Sequence, residues 1–260
     1  MQSIKLTPRN EQLKSLFIIG GAVAFFIAAV YLLDLELIKF LSRFADAGKV
    51  LKNFLALDFS EFSLIVSELM VSLGMAIASL VVGAILSIIF AFLGAANTAP
   101  HAIFSGVIKA FVSIIRAIPA LVWILVIVAS LGFGNTSAVV GMIFPTVGYL
   151  TKSFISSIEE QDPAIIETLQ STGASRLQVI TEGLCPLLIP PFLAWLSICL
   201  EVNIASSISL GMIGAGGIGS LLMKAIGKYD YGRISAVILC ILGTLLIVEL
   251  FVTQMKAKLR

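Results

Sequence analysis

From Met70 to Leu93 the chain runs for 24 residues without one charged side chain. At 1.5 Å per residue that is helix enough to cross a bilayer core of about 30 Å. The run is not isolated. Leu16 to Leu33, a stretch from about Ile115 to Leu131, Ala138 to Ile155, Leu187 to Ile208 and Ile234 to Phe251 have similar character, giving six expected spans. Only 12% of the 260 residues are charged, against about 25% in a soluble domain. The chain therefore reads as an all-α integral membrane protein. Its net charge of +2 is spread along the sequence, and no basic patch of the kind that binds nucleic acid stands out. Cys185, Cys199 and Cys240 lie in or beside apolar runs without paired spacing, so they read as small buried hydrophobes and not as metal ligands or a disulfide. Leu16 to Leu33 exceeds a signal-peptide core of about 7–15 residues and no small-residue cleavage site follows it, so an uncleaved first span is expected.

Between the spans the pattern changes. Leu37, Leu41, Phe44, Gly48, Leu51 and Leu55 recur at spacings of three and four, with Lys39, Arg43, Asp46, Lys49 and Asn53 on the other face. That pattern suits a helix lying at the membrane surface, and equally one packed on its own protein. Ala102 to Leu131 is too long for one span and is interrupted by Arg116 and Pro119. An interfacial lead-in to about Ile115, then a span, is expected, with proline marking the bend and Arg116 close enough to water to snorkel. His101, the one histidine, falls in a turn and reads as solvated. Pro145 and Gly148 predict a kinked or closely packed fourth span. Both termini carry three basic residues, and an even span count places them on one side, taken as cytoplasmic. Ten lysines and arginines then face the cytoplasm and seven the outside.

The polar segment 159–186 interrupts this apolar text. Asp162-Pro163 is a helix start, an oxygen acceptor at the N-cap followed by proline at the first helical position. Ala164 to Thr172 follows as a short helix with Gly173 as its left-handed cap. Ser175 begins a second helix to about Gly183, and Pro186 marks entry to the next span. Within that span sit Glu201 and Asn203. An ionisable group there is costly and faces a bundle interior or a watery cavity; contact with a solute and a hydrogen bond to a neighbouring helix that holds a dimer together are both open to Glu201. Gly214, Gly216, Gly217 and Gly219 close the span. Their spelling matches a dinucleotide fingerprint, but no strand precedes them, so close packing or a hinge is the reading adopted. Leu221 to Ile226 is expected as a short re-entrant helix.

Glu167, Gly173 and Pro186 fall where importer permeases of the ATP-binding-cassette class carry Glu-Ala-Ala, three residues, Gly, nine residues, Ile-x-Leu-Pro; Thr168, Leu169, Gly183 and Cys185 depart from it. Arg116-Ala117-Ile118-Pro119, Glu159-Glu160-x-Asp162-Pro163, Thr172-Gly173-Ala174-Ser175, Glu201-x-Asn203 and the glycine run from Gly211 to Gly219 follow in order. Together they resemble the permease of phosphonate-type importers, from about Phe59 onward. The resemblance implies a type I importer fold with an N-terminal segment 1–58 and a permease core 59–260. It implies a coupling loop 159–186 that docks on a cytoplasmic ATPase through Glu167, Gly173, Ala174 and Pro186. It also implies a pathway lined by Glu201 and Asn203, with the four glycines packing or gating near its outer mouth. The expected assembly has two copies of this chain, two ATPases and an extracytoplasmic binding protein in a prokaryotic inner membrane. The chain has no Gly-Lys-Ser/Thr phosphate loop, so ATP and Mg are expected on the partner and no cofactor here. Relatives often carry an acidic residue at Ala120 and arginine at Ala205, leaving Glu201 without a facing cation. An ion-coupled transporter using Glu201 as proton carrier, or a structural membrane subunit, are the competing functions.

Overall fold

The computed structural model describes residues 9–33, 36, 39, 41, 42, 48 and 51–258, in two compact units, 1–53 and 54–260. In the first, α1 (Arg9–Leu32) is an apolar helix long enough to cross a membrane, and its large side chains, Phe17, Phe25 and Phe26 among them, are exposed. Of the amphipathic pattern from Leu37 to Leu55, Leu37, Arg43, Phe44, Asp46 and Lys49 lie outside the described residues.

The second unit is built on α2 (Phe62–Gly94) and α5 (Asn135–Glu159). The buried face of α2 is a column of small residues every three or four positions: Ser72, Ala76, Ser79, Gly83, Ser87 and Ala91. Small residues let helix backbones approach where lipid removes the usual hydrophobic drive for association. The opposite face presents Ile77, Val81, Ile85 and Ile89, all exposed, as a lipid-facing helix should.

The expected third span is a bent pair, α3 (Ala102–Ala117) and α4 (Ala120–Leu131), meeting at 84°. Neither arm crosses a bilayer alone, so the described residues contain five spanning helices, or six if the pair counts as one. The cause is Pro119, whose missing N–H leaves the Ile115 carbonyl without the partner a continuous helix would supply. Trp123 repairs this: its indole N–H donates to Ile115 O at 3.0 Å while its ring stacks on Phe144 at 4.6 Å. Trp123→Phe keeps the stack and removes the donor, and should cost about 1–3 kcal/mol, read as a lower unfolding temperature of the purified protein in detergent.

After α6 (Pro163–Ser171) the chain enters α7 (Arg176–Ala215), 40 residues that run as helix until the backbone breaks at Gly214, φ +103°. A separate short helix ending near Gly183 was expected; the structure instead carries the helix through Pro186 by a π-helical segment, Val179–Leu184. The Cys185 N–H donates to Ile180 O, five residues back, and this wider turn makes room for a ring that would otherwise strike the carbonyl four residues before it. Pro190 and Pro191 are likewise inside the helix. Helix α7 packs on α2 and α5 through Phe154, Leu184, Leu188 and Phe192, with the two phenylalanine rings stacked at 3.9 Å. Helices α8 (Gly217–Gly227) and α9 (Tyr231–Lys258) complete the unit, packing on Ile65 of α2 through Ile218, Leu221 and Val237. At this end Arg233 pairs with Glu61 at 2.6 Å, and the Ser60 N–H holds the Asp58 carboxyl below its ordinary range.

Candidate functional site

The end of the bundle holding α6 is locked together by polar groups that serve the backbone. Asp162 accepts from Ala164 N at 2.9 Å and caps α6 as expected. At the other end of α6 Gly173 N–H donates to Gln170 O at 3.0 Å and Ala174 N–H to Leu169 O at 3.2 Å, with Gly173 at φ +82°. This is a Schellman cap, which needs a left-handed residue where Gly173 sits. Ser175 and Gln178 then form a capping box for α7. No residue of α6 is buried. Glu167 and Gly173 therefore stand on an exposed helix and its cap, with Ala174 following.

Two residues fix this segment that the sequence reading passed over. Arg176 donates its guanidinium to the backbone carbonyls of Thr98, at 3.1 Å, and Ala99, tying the start of α7 to the loop between α2 and α3. Glu159 accepts from Ala96 N at 2.7 Å and from Lys109 Nζ at 2.8 Å, binding the end of α5 to that loop and to α3. A long side chain that ends on the carbonyls of another loop leaves no spacing signal in its own segment. His101, expected only to be solvated, caps α3 by accepting from Ile103 N at 3.2 Å.

Glu201 and Asn203 do not converge. Asn203 is 4% exposed; its amide donates to Ser79 Oγ and to Thr146 Oγ1, both at 3.1 Å. It is a knot joining α2, α5 and α7, with its polar atoms used within one chain. Glu201 precedes Asn203 by two positions, about 200° around the helix. It is half-buried and has no cation within 4.0 Å among the described residues.

The glycine run forms a tight hairpin between α7 and α8. Gly214, Gly216 and Gly217 have φ of +103°, +93° and +68°. Ser72 Oγ accepts from Ile218 N at 3.0 Å, so the start of α8 lies about 15 Å along α2 from Phe62. From there α8 returns to the level of Asp58 and Glu61, which gives it the re-entrant course expected for Leu221 to Ile226, with a longer helix. The hairpin sits as closely as backbone allows: a Cβ on Gly219 would lie 2.7 Å from Met212 N and 2.9 Å from Gly211 C.

Between α3 and α5 a cleft of about 280 Å³, floored by Val112 and Ile155, is lined by Lys109, Ser113, Arg116, Lys152, Ser156 and Glu159. A second depression beside it shares Arg116 and Lys152 and adds Tyr149 and Trp195. Arg116 was expected close to water. It is exposed, and its stem lies on α5 at Gly148, where a Cβ would come within 3.0 Å of Arg116 Cγ, roughly 16 Å along α5 from Glu159.

A family model described as binding-protein-dependent transport system inner membrane component matches residues 87–260. The phosphite transport system permease protein PtxC of Stutzerimonas stutzeri is 33% identical over 194 residues, 75% of this chain and 70% of that protein. The phosphate-import permease protein PhnE of Mycolicibacterium smegmatis is 32% identical over 168 residues, 65% of this chain and 32% of that one. Among solved structures, a chain of the inward-facing MetNI methionine ABC transporter superposes with a TM-score of 0.69 at 17% identity, over 78% of this chain and 100% of that one. This last likeness bears on the fold, which is that of type I importer permeases.

Proposed function

Since the chain belongs to the family of binding-protein-dependent transport system inner membrane components, we propose that it is the translocating subunit of an importer for a phosphorus oxyanion, working as a homodimer with two cytoplasmic ATPases. The observation that carries the mechanism is the exposed, doubly capped segment 162–178. Its outer face, with Glu167 and Gly173, is exposed, Ile166 packs on the core beneath it, and its base is bolted by Arg176 and Glu159 to the α2–α3 loop. Movement of an ATPase bound around Glu167, Gly173 and Ala174 therefore reaches α2, α3, α5 and α7 together. The π-helical turn before Pro186 lies directly in that line. Asn203 ties α2, α5 and α7 to one another deeper in the bundle, so those three helices shift as a unit. The glycine hairpin lies in the opposite, extracytoplasmic half, about 15 Å along α2 from Phe62, toward the side where a binding protein delivers solute. Both termini face the cytoplasm in this arrangement, and ATP with Mg binds the partner and not this chain.

The oxyanion class rests on the relatives named for phosphite and phosphate. Membership of a binding-protein-dependent family leaves an ion-coupled cycle at Glu201 without a supporting observation. The test is uptake into proteoliposomes holding the permease with its ATPase and binding protein. Saturable, ATP-dependent uptake of labelled phosphite, phosphate or a phosphonate is expected, with glycine betaine neither taken up nor competing. Uptake of the zwitterion alone would overturn the oxyanion reading and keep the importer; uptake without ATPase would overturn both.

A further inference from the structure

Arg116 and Lys152 lie on the outer faces of α3 and α5, both exposed, and neither has a carboxylate within 4.0 Å among the described residues. Lys109, the third cation of the cleft, is paired with Glu159 at 2.8 Å. Lys152 lies seven residues before the end of α5, a helix apolar enough to cross a membrane, and one turn from Gly148, on which the stem of Arg116 at the end of α3 lies. An unpaired cation at such depth is costly against hydrocarbon and belongs to a water-filled passage or a bound counter-ion. The surroundings suit an anion: Ser113 and Ser156 add hydroxyl donors, and Tyr149 and Trp195 wall the neighbouring depression. Gly148 lets α3 lie this close: a Cβ there would come within 2.8 Å of Ile115 Cγ2 and 3.0 Å of Arg116 Cγ.

We propose that Arg116 and Lys152 form a binding subsite for phosphate-type oxyanions on the face of α3 and α5, between mid-membrane and the end that carries α6. Arg116 supplies paired N–H donors of fixed geometry and Lys152 a mobile point charge, a combination matched to a tetrahedral oxyanion. It also answers the charge problem left by the sequence. The cations an anion pathway needs are placed on α3 and α5 instead of opposite Glu201, so the alanine at position 205 removes nothing the passage depends on. The inference rests on the oxyanion-importer reading. The same chemistry serves a free oxyanion in transit or the phosphate of an anionic lipid headgroup.

The experiment uses the purified permease–ATPase complex, without binding protein, in nanodiscs of phosphatidylcholine. Unfolding temperature is read with and without millimolar inorganic phosphate, and again in discs containing phosphatidylglycerol. Arg116→Gln with Lys152→Gln is compared with wild type, with Lys152→Arg, and with Lys224→Gln in α8 as a control. A phosphate-dependent rise that is lost in the double variant, and kept by Lys152→Arg and Lys224→Gln, assigns the subsite to the free ion. The KM for oxyanion uptake should then rise about tenfold or more in the double variant. A rise produced by phosphatidylglycerol alone and lost in the same variant supports the phosphate site and assigns it to lipid. If the double variant, folded as judged by an unchanged baseline, responds like wild type in both discs, the subsite is overturned. Wild-type uptake of the oxyanion in that case leaves the importer reading standing, whereas no oxyanion uptake by wild type would sink that reading itself.

Discussion

Replacing Gly173 with tryptophan is expected to lower ATP hydrolysis stimulated by the loaded binding protein by more than about tenfold, which corresponds to at least ~1.4 kcal/mol of lost coupling. The size of the effect follows from where the side chain would go. A Cβ at Gly173 meets nothing within 4 Å, so the new side chain starts out in open space beside α6. Left-handed backbone at φ +82° costs a non-glycine residue about 1–2 kcal/mol. That is small against the about 5–15 kcal/mol that keeps a domain folded, and α6 retains its Asp162 cap. The spans should therefore fold while an indole occupies the surface on which the ATPase is proposed to sit. Gly173→Asn separates the two causes, since asparagine tolerates the left-handed region and is small; it should keep most of the activity. Coupled hydrolysis at the wild-type rate in the tryptophan variant, with the ATPase still co-purifying, would remove Glu167, Gly173 and Ala174 from the docking surface.

The features that were legible in the sequence are those whose cause lies within one element. Span placement follows from runs of apolar residues, and the capped helix at Asp162 and the stop at Gly173 follow from backbone chemistry that two or three neighbouring residues settle. What was not legible depends on distant partners. Pro119 announces a broken helix, but that Trp123 would satisfy Ile115 depends on the direction in which α4 leaves the bend. Asn203 and Glu201 read as a pair because they are neighbours in sequence. On a helix, residues two apart face opposite ways, and the hydroxyls that claim Asn203 come from positions 79 and 146. Arg116 read as an interfacial residue because its own segment ends at Pro119. The surface its stem rests on, Gly148 of α5, comes about 30 residues later and leaves no mark beside it. Pro186 read as a boundary because proline ends most helices, and only the π-helical turn ahead of it lets α7 run on.

Gly219→Ala should be the most damaging single methyl group in the chain. The added carbon would press on Ile208 O, Met212 N and Gly211 C, all of them backbone atoms of the turn that ends α7. No rotamer change can relieve it. Helix α8 must instead move outward, although its Ile218 N–H is held by Ser72 while Ile218, Leu221 and Leu222 are packed against Ile65 and Val237. Overpacking of this kind costs about 1–3 kcal/mol where side chains share the strain, and a backbone-to-backbone collision belongs at or above the top of that range. For a chain of this size the unfolding temperature should fall by about 6–12 °C. Gly227→Ala, eight positions on in the same helix, is the matched control: nothing lies within 4 Å of its Cβ, and the loss of glycine's extra freedom in the unfolded chain should leave stability unchanged or raise it by up to about 1 kcal/mol. Both variants add the same methyl group to one helix, so helix propensity cannot separate them and only the closeness of α8 to the end of α7 can. Equal unfolding temperatures for the two variants would mean that the hairpin is looser than this packing, and that the glycines at 211 and 219 serve some purpose other than contact.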